Sequence, residues 1–132
     1  MHLHFEGNYA QSILLVFLLI VFLQSGLDKL KDWKGNLSWL TGHFAESPFK
    51  NGVPVLLGIV TLMEIAAGLL SLIGLVHLLL HDNPSFALYG ALVSAITLLM
   101  LLLGQRVAKD YEGAKTIVIY LMPTVFLLFL LQ

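Results

Sequence analysis

The sequence carries one carboxylate deep inside a long apolar stretch. Glu64 lies about 11 residues into the second such stretch, roughly 17 Å along a helix axis and near the middle of a bilayer. Its neighbours at helical spacing are small or weakly polar, namely Thr61, Ala67, Gly68 and Ser71. Because a charged group facing lipid is costly, we expect Glu64 to face other helices, neutralised or held by a donor or cation. Two interpretations remain open: a proton, quinone or substrate contact, or an interhelical hydrogen bond that fixes the bundle.

Further polar residues are predicted at the ends of neighbouring helices. Gln24 and Asp28 share a face near the end of the first apolar stretch, four residues apart. Arg106 and Asp110 share a face after the third stretch, beside Gln105. Gln24 and Arg106 are the expected partners of Glu64. For Arg106 the alternatives are contact with Asp28, a local pair with Asp110, or extension to lipid headgroups.

The histidines form a second, weaker constellation. His77 and His81 have the four-residue spacing that suits two ligands on one metal, and they are weak metal candidates. The alternative is that they are polar residues at a helix end. His2 and His4 are expected on the same side of the membrane, whereas His43 belongs to neither group. Because the chain has no cysteine, disulfides, thiolate metal sites and thiol chemistry are excluded.

Four apolar stretches must position these residues. They cover about 9–30, 53–80, 86–103 and 116–131, and each is long enough, or nearly so, to cross a bilayer about 30 Å thick. With 58% hydrophobic and 11% charged residues, the chain is predicted to be an integral membrane protein. The predicted fold is all-α, a single four-span bundle over residues 1–132. The fourth span is short, and Pro123 is expected to kink it.

The connections add detail to this bundle. Residues 31–52 place Trp33, Leu37, Leu40 and Phe44 at helical spacing, which predicts a segment lying in the membrane interface. The alternative is an irregular loop whose aromatic residues pack on the bundle. A tight turn at 82–85 predicts an antiparallel hairpin of the second and third spans. A stripe of alanines at 87, 91 and 95 is expected at a close helix contact.

The basic residues predict the orientation. All seven lie in two segments, after the first and after the third span. The positive-inside rule then places both segments in the cytoplasm and both termini outside, in a multi-pass protein of the cell inner (plasma) membrane. The amino terminus lacks the basic region of a signal peptide, so the first span is expected to remain as a helix. A net charge of −1 gives no indication of nucleic-acid binding.

Three segments together resemble the DoxX family of small four-helix bacterial membrane proteins: GLDKL at 26–30, EIAAGLL at 64–70 and GQRVAKDYEGA at 104–114. The resemblance covers nearly the whole chain. Some relatives are subunits of a thiosulfate:quinone oxidoreductase or act beside sulfur- and thiol-redox proteins, and distant animal relatives assist receptor assembly. The resemblance implies a set of functional positions at Gly26, Lys29, Glu64, Gly68, Arg106 and Asp110. Together with the helix-end residues described above, this set makes the candidate ligand-binding residues Gln24, Asp28, Lys29, Glu64, Gln105, Arg106 and Asp110.

Three functions are consistent with these residues. In the first, the protein is a redox-associated membrane subunit that binds a quinone or a partner's substrate near Glu64, with a redox partner protein supplying the electrons. In the second it is a non-catalytic scaffold or assembly factor, and in the third a small-molecule transporter. Quinone is the candidate cofactor, and no covalent cofactor is expected. The lipid bilayer is the expected environment, with a redox partner or a second copy of the chain as the candidate protein partner.

Overall fold

The helices of the protein agree with the predicted spans. The computed structural model describes residues 6–132, which form five helices and, within that range, no strand. They are α1 (Tyr9–Lys31), α2 (Trp33–His43), α3 (Val53–His81), α4 (Ser85–Val107) and α5 (Tyr111–Leu131). Helices α1, α3, α4 and α5 are each long and apolar enough to cross a membrane. The predicted all-α four-helix bundle is thus confirmed.

The fourth span is longer than predicted. Helix α5 begins at Tyr111 rather than near 116. Its start is fixed by Asp110, whose carboxylate accepts a hydrogen bond of 2.9 Å from the backbone nitrogen of Gly113. Sequence hydropathy missed this first turn because it is polar. Helix α5 continues through Pro123 to Leu131.

The segment between the first two spans contains a helix, so the irregular-loop alternative is wrong for residues 33–43. Only Asp32 separates α2 from α1, and its carboxylate caps α2 by accepting a hydrogen bond of 3.1 Å from the Gly35 nitrogen. No residue of α2 is fully buried. Helix α2 therefore lies on the outside of the bundle, as an amphipathic interfacial segment would, and its depth in the membrane stays a prediction.

Small residues bring the long helices close together. Ala87 and Ala91 of α4 are fully buried, and Ala95 is nearly so. A methyl group added at Gly74 would lie 2.5 Å from the Cα atom of Ala87, and one at Gly90 would lie 2.9 Å from the nitrogen of Ser71. Helices α3 and α4 are thus in backbone contact, and the predicted role of the alanine stripe is confirmed.

The two ends of the bundle differ in charge. At one end α3 and α4 are joined by a short turn in which Asp82 adopts the left-handed conformation, with φ of 49°. The Asn8 side chain donates a hydrogen bond of 3.0 Å to the Asp82 carboxylate, so the start of α1 lies beside this turn. The basic segments after α1 and α4 lie at the opposite end. This antiparallel arrangement puts both basic segments on one side of the bundle, as the predicted orientation requires.

Candidate functional site

Glu64 is buried and paired with a cation. Its side chain is 3% exposed, and its Oε1 atom lies 2.8 Å from the Nζ atom of Lys29. Lys29 also donates a hydrogen bond of 2.9 Å to Ser25 Oγ. A separation of 2.8 Å between an ammonium and a carboxylate oxygen is that of a charge-assisted hydrogen bond, so Lys29 is the cation that holds this atom. The partner is therefore Lys29, and the expectation that it would be Gln24 or Arg106 is wrong.

Two glycines allow the pair to form. A methyl group at Gly26 would lie 2.5 Å from the Ile65 side chain, and one at Gly68 would lie 2.6 Å from the Leu23 side chain. Each glycine thus accommodates a large side chain of the facing helix, which brings α1 and α3 close together beside Lys29 and Glu64. These contacts place Glu64 level with the last turn of α1. Along α3 it lies 11 residues from Val53, the first residue of the helix, as predicted, and its depth in the membrane stays a prediction.

The predicted stripe around Glu64 is confirmed. Thr61, Ala67, Gly68 and Ser71 are all buried. The hydroxyl groups of two of them form hydrogen bonds within α3: Thr61 donates to the Leu57 carbonyl, and Ser71 donates to the Ala67 carbonyl. They therefore make room for the carboxylate without competing for its charge.

An aromatic cavity of about 350 Å³ lies between α2 and the basic ends of α1, α3 and α4. This volume lies in the range of about 300–1,000 Å³ typical of small-molecule sites. Its walls are mostly apolar, with three aromatic side chains, and Lys29, Asn36 and Gln105 are its polar residues. The lining residues are Lys29, Asn36, Trp39, Leu40, Phe44, Phe49, Val53, Leu56, Leu57, Ile59, Val60, Met100, Leu101, Leu103, Gly104 and Gln105.

A second cavity of about 310 Å³, which we call the Glu64 cavity, lies on the other side of the charge pair. Its lining residues are Ile20, Val21, Phe22, Gln24, Ser25, Glu64, Leu98, Leu101, Ile117 and Tyr120. Lys29 lines the first cavity and Glu64 the second, so the ion pair stands in the wall between them.

The other candidates on α1 are peripheral. Gln24 is exposed on the outer side of the helix and contributes to the rim of the Glu64 cavity. Asp28 is exposed, lines neither cavity, and accepts through its backbone carbonyl from the Asp32 nitrogen. The structure thus brings Gln24 near Glu64 but leaves the Asp28 side chain outside the site.

Gln105 and Asp110 belong to a junction that the sequence did not reveal. His43, at the end of α2, donates from Nε2 to Gln105 Oε1 at 2.8 Å, and the same nitrogen lies 3.6 Å from Asp110 Oδ2. The His43 ring stacks on Trp39 with 4.5 Å between ring centroids. The His43 junction therefore connects α2 to α4 and to the start of α5, and it fixes one wall of the aromatic cavity. The four-residue spacing of Trp39 and His43 on one helix was the feature of the sequence that could have indicated this junction.

Arg106 takes none of its predicted inward contacts. It is exposed, and its guanidinium carbon lies 4.7 Å from the centroid of the Tyr111 ring, a cation–π arrangement. No salt bridge to Arg106 occurs among the described residues. It therefore belongs to neither cavity.

The two helix-end histidines form an aromatic cluster. The rings of His77 and His81 lie 5.5 Å apart, and His77 packs on Phe86 at 4.6 Å. Over residues 6–132 no group of three or more metal-ligating side chains occurs. His2 and His4 lie outside the described residues. His77 is thus packed at the helix end and His81 is exposed there, and metal binding by this pair stays a prediction.

The arrangement as a whole is a cation and a carboxylate that separate two apolar cavities. Lys29 has three N–H donors, two of which the Ser25 and Glu64 contacts engage, leaving one for a ligand in the aromatic cavity. Because the pair is neutral overall, neither cavity favours an ion in surroundings of low dielectric constant. No family model, curated protein or solved structure matches the chain.

Proposed function

We propose that the protein is a membrane subunit that binds a quinone in the aromatic cavity and works with a redox partner protein. The observation that carries the proposal is the composition of that cavity, in which three aromatic rings and the Lys29 side chain line one mostly apolar space. The resemblance to the DoxX family, some of whose members are subunits of a quinone-linked oxidoreductase, supports the same proposal.

The chemistry of a quinone fits these walls. Its head is a flat, neutral ring with carbonyl acceptors, and its tail is apolar. Flat rings pack well against Trp39, Phe44 and Phe49, in offset or edge-to-face geometry. A ring carbonyl would accept the remaining N–H of Lys29. A neutral acceptor is favoured over an anion because Glu64 already balances the charge of Lys29.

The redox step requires a partner. Reduction of a quinone to its hydroquinone consumes two electrons and two protons, and each ring carbonyl becomes a hydroxyl group. In our proposal a redox partner protein supplies the electrons, and this chain contributes the membrane site that holds the ring. The role of the chain is thus binding and orientation rather than electron supply.

Location and orientation form part of the proposal. We infer a bacterial inner-membrane protein with the basic ends of α1 and α4 in the cytoplasm, which follows from the positive-inside rule. The aromatic cavity would then lie near the cytoplasmic interface, accessible to a partner on that side. A second copy of the chain remains the alternative protein partner.

A scaffold function is the second candidate, and the helix packing favours it. Gly26, Gly68, Gly74 and Gly90 all mediate close helix contacts, so much of the bundle is built for rigidity. In that case the Lys29–Glu64 pair fixes the register of α1 against α3, and the cavities hold only lipid. Quinone binding is the property that separates the two candidates.

The test uses the two tryptophans of the chain, which are Trp33 and Trp39. A Trp33→Phe variant in lipid nanodiscs leaves Trp39, at the cavity, as the only tryptophan. Titration with a short-chain quinone should quench its fluorescence saturably. Filling the cavity with Val60→Phe should remove the saturable part, whereas Val16→Phe, at a lipid-exposed position, should retain it. Quenching that rises linearly in all three proteins would favour the scaffold.

A further inference from the structure

The Glu64 cavity has a chemistry opposite to that of the aromatic cavity. Its most buried polar group is an acceptor, the Glu64 carboxylate, which is 3% exposed. Lys29 contacts its Oε1 atom, and because a carboxylate offers about four lone-pair sites on its two oxygens, it can accept a further hydrogen bond. Lys29, whose ammonium neutralises this charge, lines the other cavity and is absent from the lining of this one. The Glu64 cavity therefore offers an acceptor without offering the cation.

The walls of this cavity define the shape of a ligand. Phe22, Leu98 and Ile117 are apolar, and Tyr120 contributes a ring. The rim includes Ile20, which is 60% exposed on the outer face of α1, so the cavity reaches the surface that faces lipid. A ligand would enter sideways from the membrane, which selects for amphiphiles with a small polar head.

The charges of Lys29 and Glu64 further restrict the class of ligand that this cavity can bind. A cationic ligand would add a second positive charge beside Lys29, and an anionic one would meet the carboxylate directly. Both are disfavoured in an apolar cavity. A neutral ligand with an O–H donor satisfies the carboxylate and leaves the pair intact, and hydrogen bonds to a charged acceptor are the stronger kind.

We propose that the Glu64 cavity binds a neutral, phenol-class amphiphile whose hydroxyl group donates to the Glu64 carboxylate. This site is separate from the proposed quinone site and does not depend on it. If both exist, the two cavities select by hydrogen-bond polarity, with a carbonyl ligand on the Lys29 side and a hydroxyl ligand on the Glu64 side. The hydroxyl ligand is the chemical class that quinone reduction produces.

The experiment compares two probes on the full chain in nanodiscs. One is para-hexylphenol with a fluorine on the ring, and the other is its methyl ether, which keeps the ring, the chain and the oxygen but replaces the O–H donor by a methyl group. Fluorine NMR should show saturable binding of the phenol. The ether should bind about tenfold more weakly or worse, a difference of about 1.4 kcal/mol. Equal binding of the two probes would overturn the proposal.

Variants locate the bound phenol. Ile117→Trp fills the Glu64 cavity without touching the ion pair, and it should abolish saturable binding. Ile119→Trp, at a 51% exposed position on the same helix, is the matched control and should retain it. If Ile117→Trp fails to fold, the phenol and ether comparison on the native chain decides the matter.

Trp39 fluorescence keeps this test independent of the quinone proposal. Phenol in the Glu64 cavity should not displace a quinone that quenches Trp39, because Trp39 lines the other cavity. Competition between the two would place the phenol in the aromatic cavity and refute the proposed second site. Absence of quinone quenching with intact phenol binding would refute only the quinone proposal.

Discussion

Lys29 and Glu64 contact each other across the α1–α3 boundary, yet each lines a different cavity. Their charged atoms are 2.8 Å apart, and the Lys29 side chain is 16% exposed against 3% for Glu64. The pair therefore contributes a donor to one side and an acceptor to the other while remaining neutral as a unit. Gly26 and Gly68 permit this contact by letting the two helices approach.

Removing the charge of Lys29 should lower the free energy of unfolding. Lys29→Met leaves the Glu64 carboxylate buried without its cation, and we expect a loss of about 3 kcal/mol in the free energy of unfolding, the lower end of the range for a broken buried pair. Unfolding in mixed detergent micelles measures this loss. Lys31→Met, at an exposed position two residues further along α1, is the control and should change the free energy of unfolding little.

The double variant Lys29→Met with Glu64→Gln isolates the interaction. Because no buried charge remains unpaired, it should be more stable than the sum of the two single effects indicates, as expected for residues in contact. Strictly additive losses would mean that the two side chains do not interact in the membrane.

The α3–α4 contact should not accept a larger side chain. Ala91 is completely buried, with 0% accessible surface. Ala91→Leu should therefore destabilise the bundle by about 1–3 kcal/mol through overpacking. Thermal unfolding in detergent gives the measurement. The neighbouring exposed residue provides a control, since Leu92→Met should change the melting temperature little. An unchanged melting temperature for Ala91→Leu would place this face against lipid.

The His43 junction should hold α2 on the bundle. His43→Ala removes the hydrogen bond to Gln105 and the stacking on Trp39. A loss of about 1 kcal/mol, equivalent to about fivefold in local opening, is the expected scale for one hydrogen bond. Hydrogen exchange of the amides in 33–43 should quicken accordingly, while His81→Ala, at the opposite end, leaves them unchanged. Equal exchange in both variants would show that the junction does not restrain α2.

Fusions to a reporter enzyme test the orientation of the bundle in the membrane. Seven basic residues at one end of the bundle predict that alkaline phosphatase fused after Gln132 is active outside the cytoplasm. A fusion after Asn51, in the first basic segment, should be inactive as phosphatase and serves as the paired control. Phosphatase activity of the Asn51 fusion with none after Gln132 would invert the assignment.

Sequence reasoning predicted the bundle well and the site in part. The four spans follow from length and hydropathy, and the small residues around Glu64 correctly placed it inside the bundle. The partner was missed because Lys29 reads as a flanking basic residue, and only the approach of α1 and α3 at Gly26 and Gly68 turns it inward. Glycine contacts between helices depend on rotation about the helix axis, which hydropathy does not specify.

The His43 junction was missed for a related reason. Gln105, Asp110 and His43 come from three different elements, and their meeting depends on how α2 folds back over the bundle. A short amphipathic helix with no buried residue carries little signal for its own docking. The candidate set from sequence thus mixed residues of the cavities with residues of this junction.

Photolabelling with a short-chain azidoquinone tests quinone binding in the aromatic cavity most directly. Peptide mass spectrometry after irradiation in nanodiscs should find labels on Trp39, Phe44 or Phe49, which line that cavity. Excess unlabelled quinone should remove them, and Val60→Phe should prevent them. Labels confined to the lipid-exposed Phe126 and Phe129, or labels that competition leaves unchanged, would contradict quinone binding in this cavity.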